Sequence, residues 1–332
     1  MLLTGASGVV GDALLERFPN KHPSQLVCFV HKRPVAGHNF TALPADVSLP
    51  YLGLGRSEYK LLARRVSTVI HAAAITNVAS APDAINRVNV DGTYRILEFA
   101  ELAGAAIHVL STAFVAGSSR NAARDNVYQS SKVRAEEIVR SSGIPHSILR
   151  PSVVVGDSRT GRIARFQGFH FALGALMKGN FPVVPANANA FIDFLPSDYV
   201  ADAIIAIVNG GICGEFWITA GPDALTTGEV VDACVDFCTV IGRPIERPRL
   251  VSADIVDRLV LPAFGDDLPP EIVKRLEVWS GMASHMSIEE PLPTSLPHLM
   301  REIGLPRPPD LSQALQKNLA YWAYKSRWAA RK

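Results

Sequence analysis

The sequence predicts an α/β fold, a doubly wound parallel sheet with a smaller C-terminal lobe. Three observations predict it. Short β-branched and apolar runs alternate with longer helical patterns through the first half of the chain. Gln25–His31 (QLVCFVH) is almost continuously apolar, as a strand covered on both faces requires. A glycine-rich turn, Thr4–Gly11, joins the first apolar run to the first helical pattern.

Taken in order, Met1–Thr4 reads as a short strand. Val9–Phe18 reads as a helix, with Val9, Val10, Ala13, Leu14 and Phe18 on one side. Gln25–His31 and Val66–Ala73 (VSTVIHAA) are further strands, the second followed by a helix from about Pro82 to Ala103. Ala106–Ser111 is a strand, Asn126–Ser142 a helix, and His146–Val155 strand-like up to Arg150. From about Gly156, proline and glycine become frequent. Helices are expected at Phe166–Lys178, Asp198–Val208, Thr227–Ile241, Pro270–Ser280 and Leu311–Ala330. Glu289–Pro309 is proline-rich and reads as a surface connector.

Composition excludes several classes. With 332 residues, 48% hydrophobic and 19% charged, the chain has ample material for a core of one large domain or two. Lys plus Arg is 33 against 31 acids, a net charge of +2 that argues against binding nucleic acid by bulk charge. No apolar run reaches the roughly 18 residues a bilayer span needs. Met1 leads directly into the first motif, so no secretory leader is expected, and a cytoplasmic setting is. Cys28, Cys213, Cys234 and Cys238 show neither zinc-site nor redox spacing, so free thiols and no metal are expected.

Thr4-Gly5-Ala6-Ser7-Gly8-Val9-Val10-Gly11 carries the first chemistry. Gly5 permits a tight turn, Gly8 lets a pyrophosphate approach the backbone, and Gly11 lets the helix pack closely. The helix N-terminus then offers free N–H groups to phosphates. This is the signature of a Rossmann-type dinucleotide site. Residues 1–155 are expected to form it, with the sheet completed by parts of 190–220; residues 156–332 would be mainly a substrate-binding lobe and C-terminal helix. The second strand runs out into His31-Lys32-Arg33 with no acid before Asp46, which favours the 2′-phosphate of NADPH over NADH. Asp46 and Val47 would flank the adenine, and Ala72, Ala73 and Ala74 would line the nicotinamide ribose.

Tyr128-Gln129-Ser130-Ser131-Lys132 puts a phenol and an ammonium on one helix face. A nearby cation should lower the Tyr128 pKa, fitting it to give a proton to a carbonyl oxygen, while Lys132 also holds ribose hydroxyls. Thr112, following the strand that ends at Ser111, would give that oxygen a second hydrogen bond.

Together, TGASGVVG, NVDGT (Asn89–Thr93), STAFVAG and YQSSK resemble the extended short-chain dehydrogenase/reductase superfamily. LPYLGLGRSE (Leu49–Glu58), HAAA (71–74), RPSVVVGDSRTG (150–161) and DFLPSDYV (193–200) resemble its thioester reductase-like branch, related to fatty acyl-CoA reductases. The resemblance covers roughly residues 1–210. It implies Thr112, Tyr128 and Lys132 as the catalytic set and Gly5, Ser7, Gly8 and Gly11 at the pyrophosphate. It also implies Asn89 as holder of a proton-relay water, and Ser111, Pro151, Ser152 and Val153 beside the cofactor. The branch usually has Arg where His31 stands, the interval from Thr112 to Tyr128 is short, and no carrier domain is expected within these 332 residues. A carrier-bound acyl substrate would therefore come from another chain.

The implied activity is NADPH-dependent reduction of a carrier- or CoA-linked thioester to an aldehyde or alcohol. The alternatives are a reductase or dehydrogenase of a free aldehyde, ketone or secondary alcohol, sugar and steroid types included, or a non-catalytic dinucleotide sensor; in each case a monomer or homodimer is expected. Arg159, Arg162 and Arg165 around Asp157 would bind an anionic handle or form a solvated loop. The basic, aromatic C-terminal helix (Lys317, Tyr321, Trp322, Tyr324, Lys325, Arg327, Trp328, Arg331, Lys332) would dock an acidic carrier protein or pack on the body. Met282 and Met286 would belong to a lid.

Overall fold

A computed structural model of the chain describes residues 1–18, 25–31, 33–35, 40–78, 80–117, 126–179, 183–255 and 288–328, with positions 258 and 262. It divides into two units: Met1–Val154 with Ser197–Thr219 and Thr294–Arg307, and Val155–Pro196 with Ala220–Pro293 and Pro308–Lys332.

The first unit is built on seven strands: β1 (Leu2–Thr4), β2 (Val27–Val30), β3 (Thr41–Pro44), β4 (Thr68–His71), β5 (Ala106–Leu110), β6 (His146–Pro151) and β7 (Gly214–Ile218). They lie in the order β7-β6-β5-β4-β1-β2-β3, every neighbouring pair parallel. The order reverses between β1 and β4. In open parallel sheets the ligand crevice opens there, beyond the carboxyl ends of the strands. The register puts Thr4 of β1 opposite His71 of β4 at that end.

Helices α1 (Val9–Arg17), α2 (Arg56–Ala63), α3 (Pro82–Asn86), α4 (Gly92–Ala103) and α5 (Val127–Ser141) follow in the first half. Leu2, Val69, Ile107 and Ile148 of the strands pack with Leu62, Ile96, Phe99 and Val139 of α2, α4 and α5 in one buried cluster. Their strand neighbours Leu3 and Ile70 are equally buried, so by the two-residue strand period the opposite face is covered as well.

The helix expected over 82–103 is found with an addition. Arg87–Asp91, between α3 and α4, is π-helical, and Gly104 closes α4 in the left-handed conformation (φ 61°). One extra residue per turn re-aims a helix face, and such turns cluster at functional sites. Asn89 lies within it. The proline-rich segment expected to be surface connector instead holds a helix, Leu296–Ile303, inside the first unit. Its Pro297 sits in the first turn, where a missing N–H costs nothing, and Leu296 and Leu299 are buried.

In the second unit, helices Gly168–Met177, Thr227–Val240 and Leu311–Lys325 pack on one another. Thr226 and Glu229 close a reciprocal capping box at the start of the second. Gly174 faces the Trp322 ring where a Cβ would collide with it, so the C-terminal helix turns Trp322 onto the body. Lys325 lies over Tyr321 and Tyr324 at 5.7 and 5.9 Å. That helix ends at Lys325 rather than Ala330. The expected helix at Pro270–Ser280, the lid methionines, Arg331 and Lys332 lie outside the described residues. Among the described residues no helix is long and apolar enough to cross a membrane.

Candidate active site at the carboxyl ends of β1, β4, β5 and β6

The glycine turn is shaped by three different requirements. Gly5 has φ +73°, and a Cβ there would lie 2.5 Å from Ala72 C and Ala73 N. It therefore serves the close approach of the β1 turn to the residues after β4 as well as the turn itself. Gly11 would drive a Cβ into the Gly5 carbonyl, so it seats α1 on its own loop. Gly8 differs. Its backbone is ordinary (φ −81°), and a Cβ would touch only the Gly5 carbonyl, at 3.1 Å. Little inside the chain demands a glycine there; what it keeps bare is the surface at the N-terminus of α1. The amides of Val9, Val10 and Gly11 have no intrahelical acceptor by helix geometry and add to that anion-binding end. Ser7 is exposed beside it, whereas the Val9 side chain is buried in the core.

Thr4 is fully buried, with its hydroxyl on His71 Nδ1 (2.8 Å) and receiving the Ala73 N–H (3.2 Å). Its side chain serves the frame of the turn. Ala72 is tied to the Thr4 carbonyl (3.2 Å), and Ala73 and Ala74 follow it as half-buried small residues at the switch point. Val47 is a core residue against which Gly92 packs. Asp46 stands beside His31, its Oδ2 3.2 Å from His31 Nε2, and its Oδ1 accepts the Ser48 N–H at 2.8 Å. The acid that is distant in sequence thus returns to the end of β2. Arg33 is exposed there, and Lys32 lies outside the described residues.

On the other side of the switch point, Thr112 follows β5 and hydrogen-bonds with the Tyr128 phenol. Burial pushes the Tyr128 pKa up to about 12, with the Thr112 contact opposing it. The expected lowering by Lys132 is not found, burial being the larger effect on Tyr128; the Lys132 ammonium itself donates to the Leu110 carbonyl at the end of β5 (2.5 Å). Burial in turn pulls Lys132 down to about 8, against the charge of Glu136 one turn on. Ser111 and Ser152, at the ends of adjacent strands β5 and β6, each bury a hydroxyl oxygen without a hydrogen-bond partner among the described residues. Pro151 is buried at the end of β6 and Val153 half-buried just beyond.

Asn89 is spent on the protein. Its Oδ1 accepts the Ile75 N–H (2.8 Å), and its Nδ2 donates to the Ile75 carbonyl (3.1 Å) and to Ser131 Oγ (2.9 Å). Both N–H groups being used, it fixes the loop after β4 to α5.

Sequence reasoning missed the polar frame beneath the site. Glu136 is buried and accepts from Arg150 Nε and Nη2 (2.9 and 2.7 Å) and from Arg140 (2.8 Å). Glu215 receives Arg140 at 2.6 Å and Arg150 at 2.5 Å, and Arg150 lies 4.5 Å over the Trp217 ring. The pairs span up to 75 positions, so no local pattern announces them. In the second unit, the Asp157 loop is closed on itself, Oδ1 taking the N–H groups of Arg159 and Thr160 and the Thr160 hydroxyl.

The family model described as male sterility protein, an NAD-binding family, matches residues 35–204, just over half of the chain. A Drosophila melanogaster protein named as a fatty acyl-CoA reductase is 27% identical over 327 residues, covering 74% of this chain and 58% of its own length. Among solved structures, the terminal R domain of the myxalamid PKS-NRPS pathway aligns with TM-score 0.74 at 22% identity, over 98% of this chain and 90% of that one. A thiolation-reductase di-domain of an archaeal non-ribosomal peptide synthetase aligns with TM-score 0.70 at 19% identity, over 99% and 75%.

Proposed function

The chain belongs to the male sterility protein family, the thioester reductase-like branch of the extended short-chain dehydrogenases/reductases, and from that premise we propose that it is an NADPH-dependent reductase of acyl thioesters. The observation that carries the chemistry is the Thr112–Tyr128 hydrogen bond beside a buried Lys132. The fly relative's name specifies an acyl-CoA, and the archaeal di-domain joins a thiolation domain to its reductase. A pantetheine-linked acyl group, on CoA or on an acidic carrier protein, is the substrate class common to both.

The residues present fit a dinucleotide. Gly8 keeps the α1 N-terminus bare for the pyrophosphate, and the orphaned hydroxyls of Ser111 and Ser152 stand where ligand donors would meet them. Ser7 and the Val9–Gly11 amides would complete the phosphate cradle, and Ala72, Ala73, Ala74, Pro151 and Val153 its walls. His31, Lys32 and Arg33 would receive the 2′-phosphate, and Asp46 would hold His31 in place for it. NADPH bound there supplies the hydride.

Tyr128 and Thr112 place two hydroxyls on one carbonyl oxygen, and as negative charge grows on it Tyr128 gives up its proton. A phenol held at about 12 is fully protonated at neutral pH, which suits proton donation and hence the reducing direction. Lys132, fixed through one N–H to Leu110, keeps its remaining donors for ribose hydroxyls and for the charge left on Tyr128. For a thioester the resulting hemithioacetal then collapses to aldehyde and thiol.

The test offers purified protein an acyl-pantetheine thioester and the matching free aldehyde, following NADPH and NADH consumption by absorbance. Thioester-dependent oxidation of NADPH is expected, reduced at least about a hundredfold in Tyr128→Phe with dinucleotide affinity retained. Turnover of the aldehyde alone would replace the reading with a simple carbonyl reductase. Dinucleotide binding without turnover of either would indicate a sensor.

A further inference from the structure

Between the glycine turn and the catalytic helix runs a set of buried hydrogen bonds whose directions have one solution. Thr93 Oγ1 lies 2.6 Å from the Asn89 carbonyl, which can only accept, so the hydroxyl donates there. Its oxygen can then only accept from His71 Nε2, 3.4 Å away, so that nitrogen carries the proton. His71 is 2% exposed, and burial beside the Lys132 charge pulls its pKa down to about 3, so the ring is neutral and Nδ1 is bare. The Thr4 hydroxyl therefore donates to Nδ1 and accepts from Ala73 N–H.

On the far side Ser131 Oγ donates to the Tyr128 carbonyl (2.6 Å) and so accepts from Asn89 Nδ2. Every proton has one place. The chain runs Ala73, Thr4, His71, Thr93 and Asn89, and from Asn89 through Ser131 to Tyr128.

We propose that His71 is a positioning residue: a neutral imidazole, protonated on Nε2, that sets the distance between the phosphate-binding turn and the helix carrying Tyr128 and Lys132. Its Nδ1 side holds the turn through Thr4. Its Nε2 side holds Asn89 through Thr93, and Asn89 holds α5. The two faces serve different properties of one enzyme, dinucleotide affinity on the first and placement of the phenol on the second.

The inference rests on the reductase reading for its catalytic half only. The experiment compares Thr4→Val with Thr93→Val, near-isosteric changes that each unpair one nitrogen of His71. His71→Gln, whose amide reaches the Nε2 position, and His71→Asn, whose amide reaches the Nδ1 position, form a second pair. NADPH affinity is read by fluorescence, kcat with whichever carbonyl compound the unaltered protein reduces, and amide exchange at Ala73 and Ile75 by NMR.

Thr4→Val and His71→Gln should weaken NADPH binding about tenfold and speed exchange at Ala73, with kcat within about twofold. Thr93→Val and His71→Asn should lower kcat about tenfold and speed exchange at Ile75, with affinity within about twofold. Equal effects of both pairs on affinity and exchange, or no effect of either, would overturn the assignment. Should a histidine variant not fold, the threonine pair decides by itself. Should the unaltered protein reduce no carbonyl compound, the functional reading falls, while affinity and exchange still judge His71.

Discussion

Replacing each glycine of the turn by alanine in a separate variant should separate fold from binding. At Gly5 the side chain must enter the left-handed region, costing about 1–2 kcal/mol, before any contact is counted. The new Cβ would also sit 2.5 Å from main-chain atoms of Ala72 and Ala73, which cannot swing aside as a side chain can. Gly11→Ala meets the Gly5 carbonyl and the Ala6 main chain in the same way. Gly8→Ala keeps an allowed backbone (φ −81°) and needs the Gly5 carbonyl, 3.1 Å away, to give by a few tenths of an ångström. Alanine at a helix N-cap adds about 1 kcal/mol or less.

In urea unfolding, Gly8→Ala should therefore stay within about 1 kcal/mol of the unaltered protein, and Gly5→Ala and Gly11→Ala should fall well below it. Affinity should run the other way for Gly8. A methyl over the α1 N-terminus displaces the pyrophosphate from at least one charge-assisted bond worth about 1.5–3 kcal/mol, or roughly 10- to 150-fold in Kd. Fluorescence titration with NADPH measures it. Undiminished affinity in Gly8→Ala would refute the placing of the pyrophosphate, and a stability loss matching that of Gly5→Ala would refute the division of roles.

Three further outcomes are expected. If the Lys132 ammonium is required, kcat should fall about tenfold per pH unit above its pKa of about 8, which a pH profile over 6.5–10 checks. His71, His108 and His170 are buried with pKa values pulled down to about 3, 4 and 4, below the unfolded value of about 6.5. Unfolding then takes up protons, so their stabilisation is complete above pH about 6.5 and is lost as pH falls toward the folded values, by about 1.4 kcal/mol per group and pH unit. Urea midpoints at pH 7 and 5 test this, and His108→Gln should remove about a third of the slope. Glu136→Gln removes the charge of the bidentate partner of Arg150 while Glu215 still holds that guanidinium, so the loss should stay below the roughly 3–5 kcal/mol of an uncompensated buried charge, with Glu136→Gln/Arg150→Met recovering part of it in the same unfolding assay.

The legible parts of the molecule are those in which one residue type answers one local demand. Gly5 at φ +73°, the apolar run containing Val27–Val30, and the four-residue spacing of Tyr128 and Lys132 are all of this kind. The π turn at Arg87–Asp91 is not, because its composition satisfies an ordinary helical period as well. Helix Leu296–Ile303 was hidden by the surrounding prolines, although its own Pro297 occupies the one place a helix tolerates it. His71 reads as a polar letter at the end of a largely apolar run; its role needs the register that sets it opposite Thr4. The fall of Lys132 and the rise of Tyr128 are products of burial, which spacing does not carry. Asp46 meets His31 only because β3 lies parallel beside β2.

How helix α5 is held can be followed along one stripe of its surface. Gln129, Lys132 and Glu136 lie at the i, i+3, i+7 spacing that would be apolar on a helix packed by hydrophobic contact alone, and all three are buried. Each is matched. Gln129 Nε2 donates to the Phe114 carbonyl (2.7 Å) just past Thr112, Lys132 to the Leu110 carbonyl just before it, and Glu136 accepts from Arg150 on the next strand. The Asn126 side chain caps the helix start by accepting the Gln129 N–H (2.8 Å). Tyr128 is thus held against Thr112 by bonds on either side of that threonine. Two of the three stripe partners are main-chain carbonyls, which no substitution can remove. The placing of Tyr128 beside Thr112 is therefore written into the path of the chain at the end of β5, which the polar stripe of the helix reads.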